Sequence, residues 1–216
     1  VNSVFFQGDL KKAFDKSSTI PGTFTPFGLL SVACKMMTMT DKRTPFKQTR
    51  HSEIVRLDYG NANEYSAFIV VPIGKDMASL DKVVHELFGT DTSWEKALYG
   101  MKEENVKLYL PRFVVQGGCD DLTKCIQEMG ATSVFEPGGL SLMTSSKDTS
   151  MGQIAHKSRI EVNETGTTAA AATSVSTTRG FCQINIVKAD RPFLFVVLHS
   201  KTNTLLFVAR VNSITE

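Results

Sequence analysis

Residues 160–182 read IEVNETGTTAAAATSVSTTRGFC, and the rest of the chain is read outward from them. From Glu164 to Arg179 there is almost no large side chain. Gly166, Thr167 and Thr168 precede four alanines, Ala169 to Ala172, and Thr173, Ser174, Val175, Ser176, Thr177 and Thr178 follow. Nothing here anchors a core. Alanine favours helix and β-branched residues favour strand, so the segment has no settled local preference and suits an extended form in one state and a paired form in another. Composition alone favours a flexible polar loop or one short alanine-rich turn.

The surroundings narrow this. With 216 residues, 42% of them hydrophobic, the chain can bury a sizeable core as one or two domains. No apolar run approaches the ~20 residues of a bilayer span, so no membrane partner is expected. A net charge of +2, from 24 basic and 22 acidic residues, leaves no electrostatic footprint for nucleic acid. Cys34, Cys119, Cys125 and Cys182 are too few and too irregularly spaced for a disulfide framework or a paired metal site, and reduced thiols are expected. The opening VNSVFFQGDL lacks the basic start and small-residue cleavage site of a signal peptide. It reads as the middle of a strand, as if cut from something longer.

Taken in order, Val1 to Phe6 predicts a buried strand, and Asp9 to Lys16 an exposed charged patch. An apolar stretch from Phe24 to Met39 precedes a polar turn at Thr40 to Pro45. Phe46 to Tyr59 and Tyr65 to Pro72 predict paired strands around the turn Gly60 to Asn63. Ser79 to Phe88 carries Leu80, Val83, Val84 and Leu87 at helical spacing, with Ser79 placed to cap and Gly89 to close. A short helix over Ser93 to Tyr99 puts Trp94 in a core. Val106 to Val115 predicts a strand that Pro111 bends or places at an edge, Gly117-Gly118 a turn, and Asp120 to Met129 a helix closed by Gly130. After a loop from Pro137 to Ser150, β character resumes over Gln153 to Asn163 and again over Phe193 to His199 and Leu205 to Val211. The class is α+β with antiparallel strands dominant.

Catalytic patterns are missing. His85-Glu86 starts like a zincin helix, but Gly89 stands where the second histidine is needed. No nucleophile elbow and no phosphate-binding glycine loop occurs. No enzyme, metal or cofactor is expected, and any function is expected in the loop rather than in a cleft.

IEVNETGTTAAAAT at 160–173, RPFLFVV at 191–197 and TLLFVARV at 204–211 together resemble the serpin family. The resemblance runs in order along the chain. VNSVFFQGDLKKAF is similar to the third strand of the large sheet A, KMMTMT and LDYGNANEYSAFIVVP to strands of sheets C and B, and LYLPRF to the approach to the sixth strand of sheet A. QEMGATSVFEPGGLS is similar to the region after the last helix and GQIAHKSRIEVNE to the fifth strand of sheet A. A serpin domain is longer, so residues 1–216 would form the C-terminal part of one domain, without its N-terminal helices and first sheet A strands. The reactive-centre loop would occupy about 164–185.

The resemblance implies a suicide substrate. A protease cuts the exposed loop, and the hinge then slides between the third and fifth strands of sheet A and becomes a strand. Glu164, Gly166, Thr167, Ala169, Ala170, Ala171, Ala172 and Thr173 form the hinge. Thr167, Ala169, Ala171, Thr173 and Val175 would face the core alternately, and none is charged or a proline. This composition favours an inhibitor over a non-inhibitory binding or storage member. The reactive bond is Arg179-Gly180, which suits a trypsin-like protease with an acidic pocket, or Phe181-Cys182, which suits a chymotrypsin-like one. Cysteine proteases are a further target class. Asn2 and His156 match positions that hydrogen-bond where sheet A opens. Leu10, Ala209 and Ile214 depart from the tryptophan, glycine and proline usual there. A monomer is implied, able to polymerise by loop insertion.

Asn163-Glu164-Thr165 is an N-glycosylation sequon directly before the hinge, where a glycan would hinder insertion. Asn163 is therefore expected to be unoccupied. The family as a whole suggests an extracellular protein. KTNTLLF and the unpaired cysteines resemble the often intracellular ovalbumin-like branch.

Overall fold

The computed structural model describes residues 1–6, 8–60, 62–90, 93–145, 148–164 and 183–214. They form two compact units, one of residues 1–7 and 115–161, the other of 8–114 and 162–216.

The first unit is built on a three-stranded sheet. Its strands are β1 (Asn2–Phe6), β7 (Phe113–Cys119), whose first two residues count with the second unit, and β8 (His156–Val162), whose last residue does, in the order β1-β8-β7. β1 and β8 run parallel with Asn2 opposite His156 and Phe6 opposite Ile160. β1 is therefore an edge strand, and Phe5 is 55% exposed. The expectation of a buried strand is corrected: among the described residues β1 has a ladder on one side only, and the pleat turns Phe5 to solvent. Gly117 and Gly118 lie inside β7 rather than in a turn. A Cβ on Gly118 would sit 2.4 Å from the carbonyl oxygen of His156, so a missing side chain brings these backbones together. Helix α3 is shorter than the sequence suggests, Thr123–Glu128, because the Asp121 carboxylate accepts from the Thr123 amide at 2.9 Å and starts the turn late. Gly130, at φ +98°, ends it.

The second unit holds an eight-stranded sheet. Its strands are β2 (Ile20–Phe24), β3 (Val32–Gln48), β4 (Ser52–Tyr59), β5 (Tyr65–Pro72), β6 (Lys102–Pro111), β9 (Asn185–Lys188), β10 (Phe193–His199) and β11 (Thr204–Val211). The order is β11-β10-β5-β4-β3-β6-β9, with β2 on β3. The 17-residue β3 joins the whole. It pairs with β2 at its start, with β6 along its middle and with β4 at its end. Strands expected to divide between sheets B and C are thus hydrogen-bonded continuously through it. The polar run Thr40 to Pro45 is strand, not turn. A register shift between Asp41 and Thr44 absorbs the misfit, and the Asp41 carboxylate accepts from the Arg43 amide at 3.1 Å.

β5 and β10 are apolar on both faces because both are covered. On one side Ile54, Phe68, Val70, Leu194, Val196 and Leu198 pack against Leu80, Val83 and Leu87 of α1 (Met77–Phe88) and Ala97 and Leu98 of α2 (Ser93–Leu98), with Trp94 partly buried beside them. Elsewhere in this unit Phe113 meets Phe193 and Phe195 edge-to-face at 5.5 Å. Asp76, not Ser79, caps α1: its carboxylate accepts from the Ser79 amide at 2.7 Å. These bonds with the Ser79 hydroxyl and amide hold the Asp76 carboxyl below the usual range. Sequence reading missed β2 and β9. One contains Pro21-Gly22 and the other has four residues, too few to show a period.

Candidate functional site

Glu164 and Gln183 are the described residues on either side of the stretch 165–182. Gly166, Thr167, Ala169, Ala170, Ala171, Ala172 and Thr173 of the hinge lie outside the described residues, as do the candidate bonds Arg179-Gly180 and Phe181-Cys182. The two roots are described.

At the first root β8 ends at Val162 and the chain passes Asn163, half-buried, to Glu164, 3% exposed. A carboxylate this deep demands compensation. Arg112, in the one-residue break between β6 and β7, supplies it. Its Nε donates to Oε1 at 2.7 Å and lies 2.6 Å from Oε2. The Thr19 hydroxyl donates to Oε1 at 2.5 Å. Burial pushes the Glu164 carboxyl up, but donation from Arg112 and then Thr19 outweighs it, and the group titrates below the ordinary carboxylate range. The amide of Arg112 donates to the Lys35 carbonyl on β3 at 2.9 Å, so the backbone that carries the guanidinium is tied to β3. The sequence picked out Glu164 but neither Arg112 nor Thr19. The one available signal was LPRF: a proline without an amide proton ends β6, and the cation directly behind it is left in the break before β7.

At the second root β9 runs parallel to β6 from Asn185 opposite Val106 to Lys188 opposite Tyr109. The Asn185 side-chain amide donates to Glu104 Oε2 at 2.5 Å. Val187 and Ala189 are buried, which pins the return of the loop.

In the three-stranded sheet the Asn2 side-chain nitrogen stands 3.3 Å from His156 Nδ1, across the pair that opens the β1–β8 register. The structure brings these two predicted residues together. It also shows β1 and β8 hydrogen-bonded to each other with no strand between them.

A family model for serpins, described as serine protease inhibitors, matches residues 1–214. The chain belongs to the serpin family. It is 34% identical to bovine serpin B8 over 222 residues, which takes in 99% of this chain and 57% of that protein. Human serpin B12 is 31% identical, over 99% of this chain and 54% of its own. The serine proteinase inhibitor 2.4 of Apodemus sylvaticus is 35% identical, over 99% and 50%. This serpin chain therefore spans about half the length of the curated relatives it matches. A crystal structure of maspin superposes with a TM-score of 0.82 at 24% identity, covering 98% of this chain and 56% of maspin, a likeness of fold. By the sequence resemblance β1 and β8 would be the third and fifth strands of sheet A, and β7 the sixth that LYLPRF approaches.

Proposed function

We propose that the full-length serpin inhibits serine proteases as a suicide substrate, with a trypsin-like target. The observation that carries this reading is the direct β1–β8 ladder, closed over the five pairs from Asn2–His156 to Phe6–Ile160 and continuous in chain with the hinge at Glu164. The protease serine would attack the Arg179 carbonyl, forming an ester to Arg179 and releasing the new amino terminus at Gly180. The hinge would then enter between β1 and β8. One ladder is exchanged for two, and Thr167, Ala169, Ala171, Thr173 and Val175 bring no charge or missing donor into the core. The ester would be dragged away before water completes the turnover. Glu164 and Arg112 would fix the root from which insertion starts.

Incubation of the full-length protein with trypsin and with chymotrypsin, followed by denaturing electrophoresis, tests this. A stable covalent complex is expected with trypsin, and a released fragment beginning at Gly180. A fragment beginning at Cys182 would move the bond to Phe181 and the target to a chymotrypsin-like protease. Clean cleavage with continuing protease activity would overturn trapping and leave a serpin-fold binding or storage protein.

A further inference from the structure

The strand that receives the loop exposes a face that pattern alone would bury. Ile184 is 47% exposed and Ile186 54%, and the pleat puts Lys188 on the same side, while Val187 and Ala189 point inward. On the neighbouring strand Lys107 stands opposite Ile186 and Tyr109 opposite Lys188. The two ammonium groups bracket one ring: Lys107 Nζ and Lys188 Nζ each lie 5.3 Å from the Tyr109 centroid. Among the described residues no carboxylate pairs with either lysine. The nearest acid on that face of β6, Glu103, is four positions back, about 13 Å along the strand. The result is a patch of two isoleucines, one tyrosine and two cations, on an edge strand of the sheet.

We propose that this patch is a secondary docking surface for the target protease, and that it selects a protease carrying acidic residues and an apolar contact beside its cleft. The inference rests on the inhibitor reading above. Its basis is tether length. Ile184 is the fifth residue after Arg179 and the third after Phe181, so the chain from the cut bond to Ile184 spans at most about 18 Å or about 11 Å. A globular protease of ~230 residues has a radius of gyration of about 17 Å, and its surface extends further. A protease seated on either bond therefore has its body within reach of β9. Charge complementarity then sets the approach. Two unneutralised cations attract an acidic surface over about a Debye length and raise the encounter rate, while Ile184 and Ile186 lose exposed apolar area once contact is made. The loop residue before the bond chooses the pocket, and the patch chooses among proteases that share that pocket.

The test compares an anionic and a cationic trypsin, whose specificity pockets are alike, against the full-length protein and its K107E/K188E variant. Association rate constants are measured at low and high salt, with stoichiometry and covalent complex followed in parallel. The wild type is expected to associate with the anionic enzyme about tenfold faster, and the difference should vanish in high salt and in the variant while stoichiometry stays unchanged. I186S should slow both enzymes alike. Equal rates for the two enzymes, or an unchanged preference in K107E/K188E, overturn the docking surface and leave the inhibitor reading standing. If chymotrypsin alone is trapped, the salt dependence of its association with wild type and K107E/K188E is read instead, and identical slopes overturn the proposal. Absence of covalent complex with every protease overturns the inhibitor reading itself. A change of oligomeric state in I186S without a change of rate assigns the face to a second copy and also overturns the proposal.

Discussion

The carboxylate of Glu164, 3% exposed, accepts from Arg112 Nε at 2.7 Å through one oxygen, with the other at 2.6 Å, and this pair ties the start of the loop to the break between β6 and β7. The two partners are unequally buried: the Arg112 side chain keeps 31% exposure and the Glu164 side chain 2%. Removing either one therefore leaves a different orphan.

Arg112→Met strands an uncompensated buried carboxylate and is expected to cost about 3–5 kcal/mol. Glu164→Gln leaves a guanidinium that water still reaches and a neutral amide that can still accept, at about 1 kcal/mol. Urea unfolding of the full-length variants measures both. Equal losses would mean that burial of Glu164 is not what the pair offsets.

Acid should find the same group. The folded-state pKa of Glu164 is depressed, so its contribution is present in full above the unfolded value of about 4.3 and is lost as pH falls through the folded value. Exposed Asp15, Asp76 and Asp121 are depressed in the same direction by their turn and cap bonds, so wild type must be compared with Glu164→Gln. The gap in urea midpoint between the two is expected to narrow steadily on acidification. A gap independent of pH would show that the carboxylate charge contributes nothing.

Gly118 and Gly117 predict a contrast between neighbours. A Cβ on Gly118 would lie 2.4 Å from the His156 carbonyl oxygen and 3.1 Å from the Lys157 Cα, both backbone atoms that move only with β8. Gly118→Ala is expected to destabilise by about 1–3 kcal/mol, lowering the melting temperature by several degrees. At Gly117 the nearest atom is the Ser158 hydroxyl at 3.4 Å, ordinary contact, so Gly117→Ala should be near neutral. Similar melting shifts for the two would contradict the close approach of β7 to β8.

Thr167→Arg would carry a charge into the core face of the inserted strand. Desolvation costs several kcal/mol, enough to let hydrolysis outrun insertion. The variant is expected to be cut as a substrate, read as a rise in the moles of inhibitor consumed per mole of protease. Unchanged trapping would refute insertion in this register.

Asn163 sits half-buried between Val162, 5% exposed, and Glu164, 3% exposed, which leaves little room for a glycan at the root of the hinge. Mass measurement before and after glycosidase treatment of protein from its native source is expected to show no change. Full occupancy in an active inhibitor would overturn this.

The sequence by itself determined the strongly patterned elements. The unbroken apolar runs Phe193 to Leu198 and Ala67 to Val71 predicted strands, and the spacing of Leu80, Val83 and Leu87 predicted α1. The order of short segments around the small-residue hinge was enough to identify the family. Partnerships remote in sequence were decided only by the tertiary structure. Arg112 and Thr19 meet Glu164 across 52 and 145 residues, and no local period encodes such a meeting. The run from Thr40 to Pro45 is polar and looks like a turn, yet β6 on its flank supplies the hydrogen bonds that keep it extended. The same holds for β9, four residues made a strand by β6 rather than by their own propensity, with Ile184 and Ile186 left in solvent beside the loop.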